Sequence, residues 1–276
     1  MLQKKHLFPY AFFYTLVFCL STNLLSEEMK MDHSHMKGHV MHKASHHSPS
    51  GIMGGESHKK GQFMFSVKQM RMSMKKNSNL GTRLSDQEII SLPNPYYNGS
   101  TLPKLSVVPK SMDMEMTMLE GMYGLSDRYT LMFMATYLSK NMQLSSYGAM
   151  ADRPFLGTFS TQTTDLSSVA LSSLIKIKET EAYKLHVEVG LEKSIGSNDI
   201  EGEILNPMNM KMNVRFPYSM QTGDKSTSLI SAMTFIKRDE DWTYGSQIKN
   251  KQAINKKAWN FGDSLALNIW ISKDLS

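Results

Sequence analysis

Beyond its first 26 residues the chain has no apolar run approaching the ~18 residues that a membrane-spanning helix requires. If the mature protein lies in a membrane, the other spanning solution is a closed ring of strands, which pairs every backbone N–H and C=O. Cysteine is nearly missing. Cys19 is the single one, and it sits in the N-terminal apolar run, so the rest of the chain has neither a disulfide framework nor a thiolate metal site. Enzyme signatures are lacking too: there is no Gly-x-Ser-x-Gly elbow, phosphate-binding loop, zinc-protease helix motif or cysteine nucleophile. The chain is therefore expected not to be an enzyme and to require no cofactor. Charged residues are only 20% of the total, with a net charge of +6. The lysines are scattered rather than striped among aromatics, which argues against nucleic acid as a partner.

Methionine is what the chain has in excess, at 24 of 276 residues. Its thioether is apolar, polarizable and a soft ligand, so the excess suits either packing or metal handling.

Residues 1–26 read as a secretory signal. Lys4, Lys5 and His6 give a positive start, Leu7 to Leu20 an apolar stretch, and Ser21 to Ser26 room for a cleavage site. Phe18 is too bulky for the small residue that precedes a lipoprotein cysteine. Residues 27–60 follow as a leader with little that can form a core, expected to be disordered without a ligand. Within it His33-Ser34-His35-Met36 and His39-Val40-Met41-His42 space imidazoles and thioethers two to three residues apart. A flexible chain can wrap such groups round one ion. Thioethers with imidazoles suit Cu(I), and imidazoles alone suit Cu(II), Ni or Zn. The expected ligands are Met29, Met31, His33, His35, Met36, His39, Met41, His42, His46 and His47, with copper the expected metal.

From Gln62 onward the pattern has period two, the signature of strands. Met112, Met114, Met116 and Met118 alternate with Asp113, Glu115 and Thr117; Leu185, Val187, Val189 and Leu191 alternate with His186, Glu188, Gly190 and Glu192. Eight strands are predicted, near 62–74, 108–123, 129–140, 166–179, 183–194, 227–237, 242–249 and 264–273. Short turns at 126–128, 179–181 and 238–241 alternate with longer connections at 77–106, 141–164, 195–225 and 250–262, the asymmetry of outer-membrane barrels. Tyr123, Tyr129, Tyr137, Tyr183, Trp242 and Tyr244 fall near strand ends, where an aromatic girdle would sit. The methionines of 112–118 are expected to face lipid, the alternative being a methionine ladder that lines the barrel and passes soft cations. Asp113, Glu115, Glu120, His186, Glu188 and Glu192 are expected to line the lumen.

Four segments resemble, in order, a family of proteobacterial outer-membrane proteins labelled as a meta-pathway phenol-degradation or transporter family. They are Gly51-Ile52-Met53-Gly54-Gly55 with His58-Lys59-Lys60-Gly61; Met112 to Tyr123 with Ser126-Asp127-Arg128-Tyr129; Phe216-Pro217-Tyr218-Ser219-Met220-Gln221-Thr222-Gly223; and Asp241-Trp242-Thr243-Tyr244-Gly245. The resemblance implies a membrane β-barrel with a Met/His-rich leader after the signal. Family members continue for further strands and end in an aromatic residue, whereas this chain stops at Lys273-Asp274-Leu275-Ser276. The expectation is either a truncated barrel of about 10–12 strands or one that closes early with about eight.

The fold expected is all-β: an antiparallel up-and-down transmembrane β-barrel over 61–276. The function expected is that of an outer-membrane transporter or channel in a Gram-negative bacterium, linked to copper handling or small-solute passage, with lipid and a soft metal or small solute as partners. The rival is a soluble periplasmic metal-binding β-protein acting as a buffer or chaperone.

Overall fold

Residues 47–273, apart from 50, 96, 100, 151, 240 and 256–258, are described by a computed structural model. The expected signal peptide and the expected ligands Met29, Met31, His33, His35, Met36, His39, Met41, His42 and His46 lie outside these residues. Eight long strands form one antiparallel sheet: β1 (Phe63–Lys75), β4 (Val107–Gly124), β5 (Tyr129–Tyr147), β6 (Phe155–Glu179), β7 (Tyr183–Ser194), β10 (Thr227–Asp239), β11 (Trp242–Asn255) and β12 (Ser264–Lys273), in that spatial order. Two small hairpins, β2–β3 (Asn77–Asn79, Thr82–Leu84) and β8–β9 (Glu201–Leu205, Lys211–Arg215), lie in the two longest connections. The eight predicted strands are all present. β1 and β12 are the sheet's edges and do not pair with each other among the described residues, so these strands make a half-barrel.

One connection is much shorter than the sequence suggested. β5 and β6 run on to Tyr147 and back from Phe155, leaving only 148–154 between them. In this extension Thr, Ser and Gln hold the outward positions, so the apolar alternation fades while the strand geometry and its hydrogen bonds persist. β6 takes up the mismatch with a bulge at residue 167, after which its inward positions change from odd to even.

Which face is concave follows from one residue. Met53 Sδ accepts from Lys68 Nζ of β1 at 3.2 Å, and Met53 O accepts from Gln247 Nε2 of β11 at 3.0 Å. In the sheet these strands stand six steps apart, which would be roughly 29 Å if it were flat. The sheet must therefore curl so that the face carrying Lys68 and Gln247 is inside. The opposite face carries Phe65, Phe133, Leu171, Leu191, Phe235 and Ile248, all exposed. Leu265, Leu267, Ile269 and Ile271 on β12 are 61–73% exposed. The hydrophobic clusters lie on the concave side: Met122, Met132 and Leu174 near the short turns, and Met142, Phe216 and Met220 toward the long connections.

A six-residue helix, α1 (Asp86–Ser91), packs at the loop end of β4 and β5. Ser85 and Glu88 form its capping box, satisfying orphan amides reciprocally, and Ile89 and Ile90 pack on Val108 and Tyr147. Asp86 fastens it to the sheet. Hydrogen bonds from Lys110 (2.7 Å) and the Tyr147 hydroxyl (2.5 Å) hold its carboxyl below the ordinary 3.8. A depressed carboxyl contributes stability above its unfolded value and loses it as pH falls through the folded one. Amide hydrogen exchange in α1 is accordingly expected to be pH-independent, after correction for intrinsic rates, down to about pH 4. It should rise faster below that than in an Asp86→Asn protein, and parallel profiles for the two would remove Asp86 from the tether.

Candidate functional site

The polar groups of this protein gather on the inner face. Because side chains alternate, each strand contributes every second residue there. Glu120 on β4 and Glu188 on β7 are each 1% exposed, and each has a lysine partner. Lys68 Nζ donates to Glu120 Oε2 at 2.6 Å, and Ser66 Oγ donates to the same oxygen at 3.2 Å. Lys249 Nζ donates to Glu188 Oε2 at 3.1 Å across the intervening β10. Lys251 and Glu192 repeat the pairing one step toward the loops. A buried carboxylate would carry a desolvation cost of several kcal/mol, and the pairing offsets it.

Residues 47–49 and 51–58 cross this face as a strap. Glu56 closes its first turn by accepting from Ser48 N at 2.8 Å and contacting His47 Nδ1 at 3.1 Å. Gly54 O then meets His186 Nε2 at 2.8 Å, and His58 N donates to Thr130 Oγ1 at 2.9 Å. Farther on, Gly61 N and Gly124 O join the strap's exit to the end of β4 at 2.8 Å. Burial holds the His58 imidazole below its usual value, so it is neutral near pH 7. Beneath the strap lies a cavity of about 200 Å³, lined among others by His47, Glu56, Met64, Lys68, Glu120 and Met122.

This strap departs from the expected leader. Residues 47–60 were expected to be disordered because they offer few core-forming side chains. They are held instead through backbone carbonyls of Met53 and Gly54 presented to polar groups of the sheet. Gly54 is essential to this. Its φ is +64°, and a Cβ there would lie 2.9 Å from Glu188 Oε2. Gly54→Ala is expected to lose about 1–3 kcal/mol of local stability. Limited trypsin digestion at Lys59 and Lys60 should accelerate in the variant, and an unchanged digestion rate would show that the strap does not depend on this glycine.

Of the expected lumen residues, Glu120, His186, Glu188 and Glu192 do face inward. Asp113 and Glu115 do not. Both are exposed on the convex face, where Glu115 pairs with Arg71 at 2.9 Å. The cause is parity. No bulge interrupts β4 between Ser111 and Gly124, so Asp113 and Glu120, seven residues apart, must point to opposite sides. Met112, Met114, Met116 and Met118 share Glu120's parity and face inward, as in the ladder alternative and not toward lipid. Sequence reasoning also passed over Lys68, Lys249 and Gln247. The available signal was that each stands next to an outward-facing apolar residue, Val67 on β1 or Ile248 on β11.

Among the described residues no three His, Cys, Asp or Glu side chains converge as a metal site, and no helix is long and apolar enough to cross a membrane. No protein-family model matches the chain, and no curated protein is significantly similar to it.

Proposed function

We propose that the chain is an outer-membrane β-barrel of transporter or channel type, through which a soft metal ion or a small solute passes, with a metal-binding leader on its periplasmic side. The observation that carries this reading is the inverted sheet: large apolar side chains stand exposed on the convex face while carboxylates, each paired with a half-buried lysine, are buried on the concave one. A water-soluble barrel buries its greasy face inside; a lipid-embedded one does the reverse.

The apolar belt also has a fitting height. On β5 the outward residues run Tyr129, Leu131, Phe133, Ala135, Tyr137 and then turn polar at Ser139 and Asn141. Tyr129 to Tyr137 is roughly 27 Å along the strand, or about 20 Å of depth at a tilt near 40°, close to the ~25 Å band of such barrels. Tyr123, Tyr183, Trp242 and Tyr244 mark the short-turn rim, as amphipathic rings do at an interface. In a bilayer the half-barrel's edges at β1 and β12 need strand partners, since an open edge there is costly.

Fractionation tests the reading. The protein is expected to stay with the outer membrane through a salt and carbonate wash. Recovery in the soluble periplasm would overturn the barrel and leave the soluble metal-binding protein in its place.

A further inference from the structure

We propose that the concave face at the loop end of β1 and β4 binds a soft monovalent cation of the Cu(I) class through rows of methionine sulfurs. The proposal deepens the transporter reading and rests on it, because it names what the inner wall would recognise. The strand register sets Met70 opposite Met116, Met72 opposite Met114 and Met74 opposite Met112. Met112 in turn stands opposite Met142 of β5 and packs against the Met142, Phe216 and Met220 cluster, so the last row borders packed core.

Directly opposed residues of an antiparallel pair share a face, with Cβ atoms about 4.5–5.5 Å apart. Unbranched thioether side chains can close that gap around one ion. Successive rows lie two residues apart, about 6.7 Å, so neighbouring pairs can exchange an ion stepwise. Thioethers select Cu(I) over hard cations such as Mg²⁺ or Ca²⁺. Lys140, opposite Met114, is the charge nearest the rows on β5, and its ammonium is taken up by the carbonyls of Ser219 (2.8 Å) and Gln221 (2.6 Å).

Packing alone does not account for these rows. Met122, Met132 and Met220, which do serve packing, are 2% exposed or less, whereas Met70, Met72 and Met74, on the edge strand β1, keep 42–44% of their surface open. Across the sheet from them stand Arg71, Asp113 and Glu115, so this stretch lies beyond the apolar belt. Here the outer face is polar and the inner face offers sulfur.

The test uses the full chain refolded in detergent with ¹³C-methyl methionine and titrated with Ag(I), a redox-stable probe of Cu(I) sites. Methyl signals from Met70, Met72, Met74 and Met114 are expected to shift before that of Met233, which points outward on β10. Replacing both Met72 and Met114 with leucine keeps shape and apolarity, and should weaken silver binding at the rows by about tenfold. The leader's sulfurs are unchanged in that variant, so the difference isolates the rows. Heat-modifiable electrophoretic mobility on the same samples reports the folded barrel separately. Inner signals that stay still, or move only together with Met233's, overturn the proposal even where the barrel mobility is intact. Inner signals that move in a protein lacking barrel mobility uphold the metal rows and sink the channel reading alone.

Discussion

Phe133→Arg is expected to lower the unfolding free energy in lipid vesicles by about 2–4 kcal/mol, the depth-dependent cost of a cation at the bilayer midplane. Phe133 lies midway between Tyr129 and Tyr137 on the convex face, opposite Gly121 on β4 and Leu171 on β6. Neither neighbour can pair a guanidinium, and the tyrosines that would mark the two interfaces are each four residues away. Asn141→Arg supplies the contrast. Asn141 is on the same face eight residues farther up the strand and stands opposite Asp113, in what the belt places outside the hydrocarbon. Its replacement should stay within about 0.5 kcal/mol, as surface substitutions usually do. Denaturant titration followed by tryptophan fluorescence measures both. Equal, small effects at the two positions would put Phe133 in water and remove the belt.

The second large effect lies inside. Glu120→Ala leaves the Lys68 ammonium with the thioether of Met53 as its remaining nearby acceptor. Breaking a buried pair from one side costs about 3–5 kcal/mol, because the surviving charge is uncompensated. Lys68 keeps 19% of its side chain exposed, which places the expected loss near the lower bound, about 3 kcal/mol. Removing both charges, as Lys68→Met with Glu120→Met, should recover most of it, since methionines already surround the site at Met64, Met118 and Met122. A double-mutant cycle separates pairing from packing. A double variant as unstable as the single one would assign the loss to shape rather than charge.

Much of the architecture was legible in the residues. Leu185-His186-Val187-Glu188-Val189 and Leu265 to Ile271 announce strands with one apolar face, and those strands begin and end within a few residues of the prediction. His186, Glu188 and Glu192 were rightly placed inward because their strand carries unambiguous aliphatic residues at the other parity. For the run Met112 to Met118 the lipid-facing reading failed for the opposite reason, and the inward ladder held. Methionine is apolar enough to be read as lipid-facing, and Asp113 and Glu115 between the methionines reinforced the error. The decisive evidence was farther along the same strand, where Leu119 and Tyr123 face out and Glu120 faces in.

Local chemistry therefore determined the eight long strands of the sheet, the alternation within each and the polar inner positions of β7. These depend only on the two-residue repeat of an extended chain, which is a property of neighbours. The tertiary structure decided which face became the inside of β4 and where residues 47–49 and 51–58 lie. A two-residue repeat names two faces without ranking them. The ranking comes from curvature, which is fixed by contacts such as Met53 with Lys68 and Gln247 that join residues up to 194 positions apart.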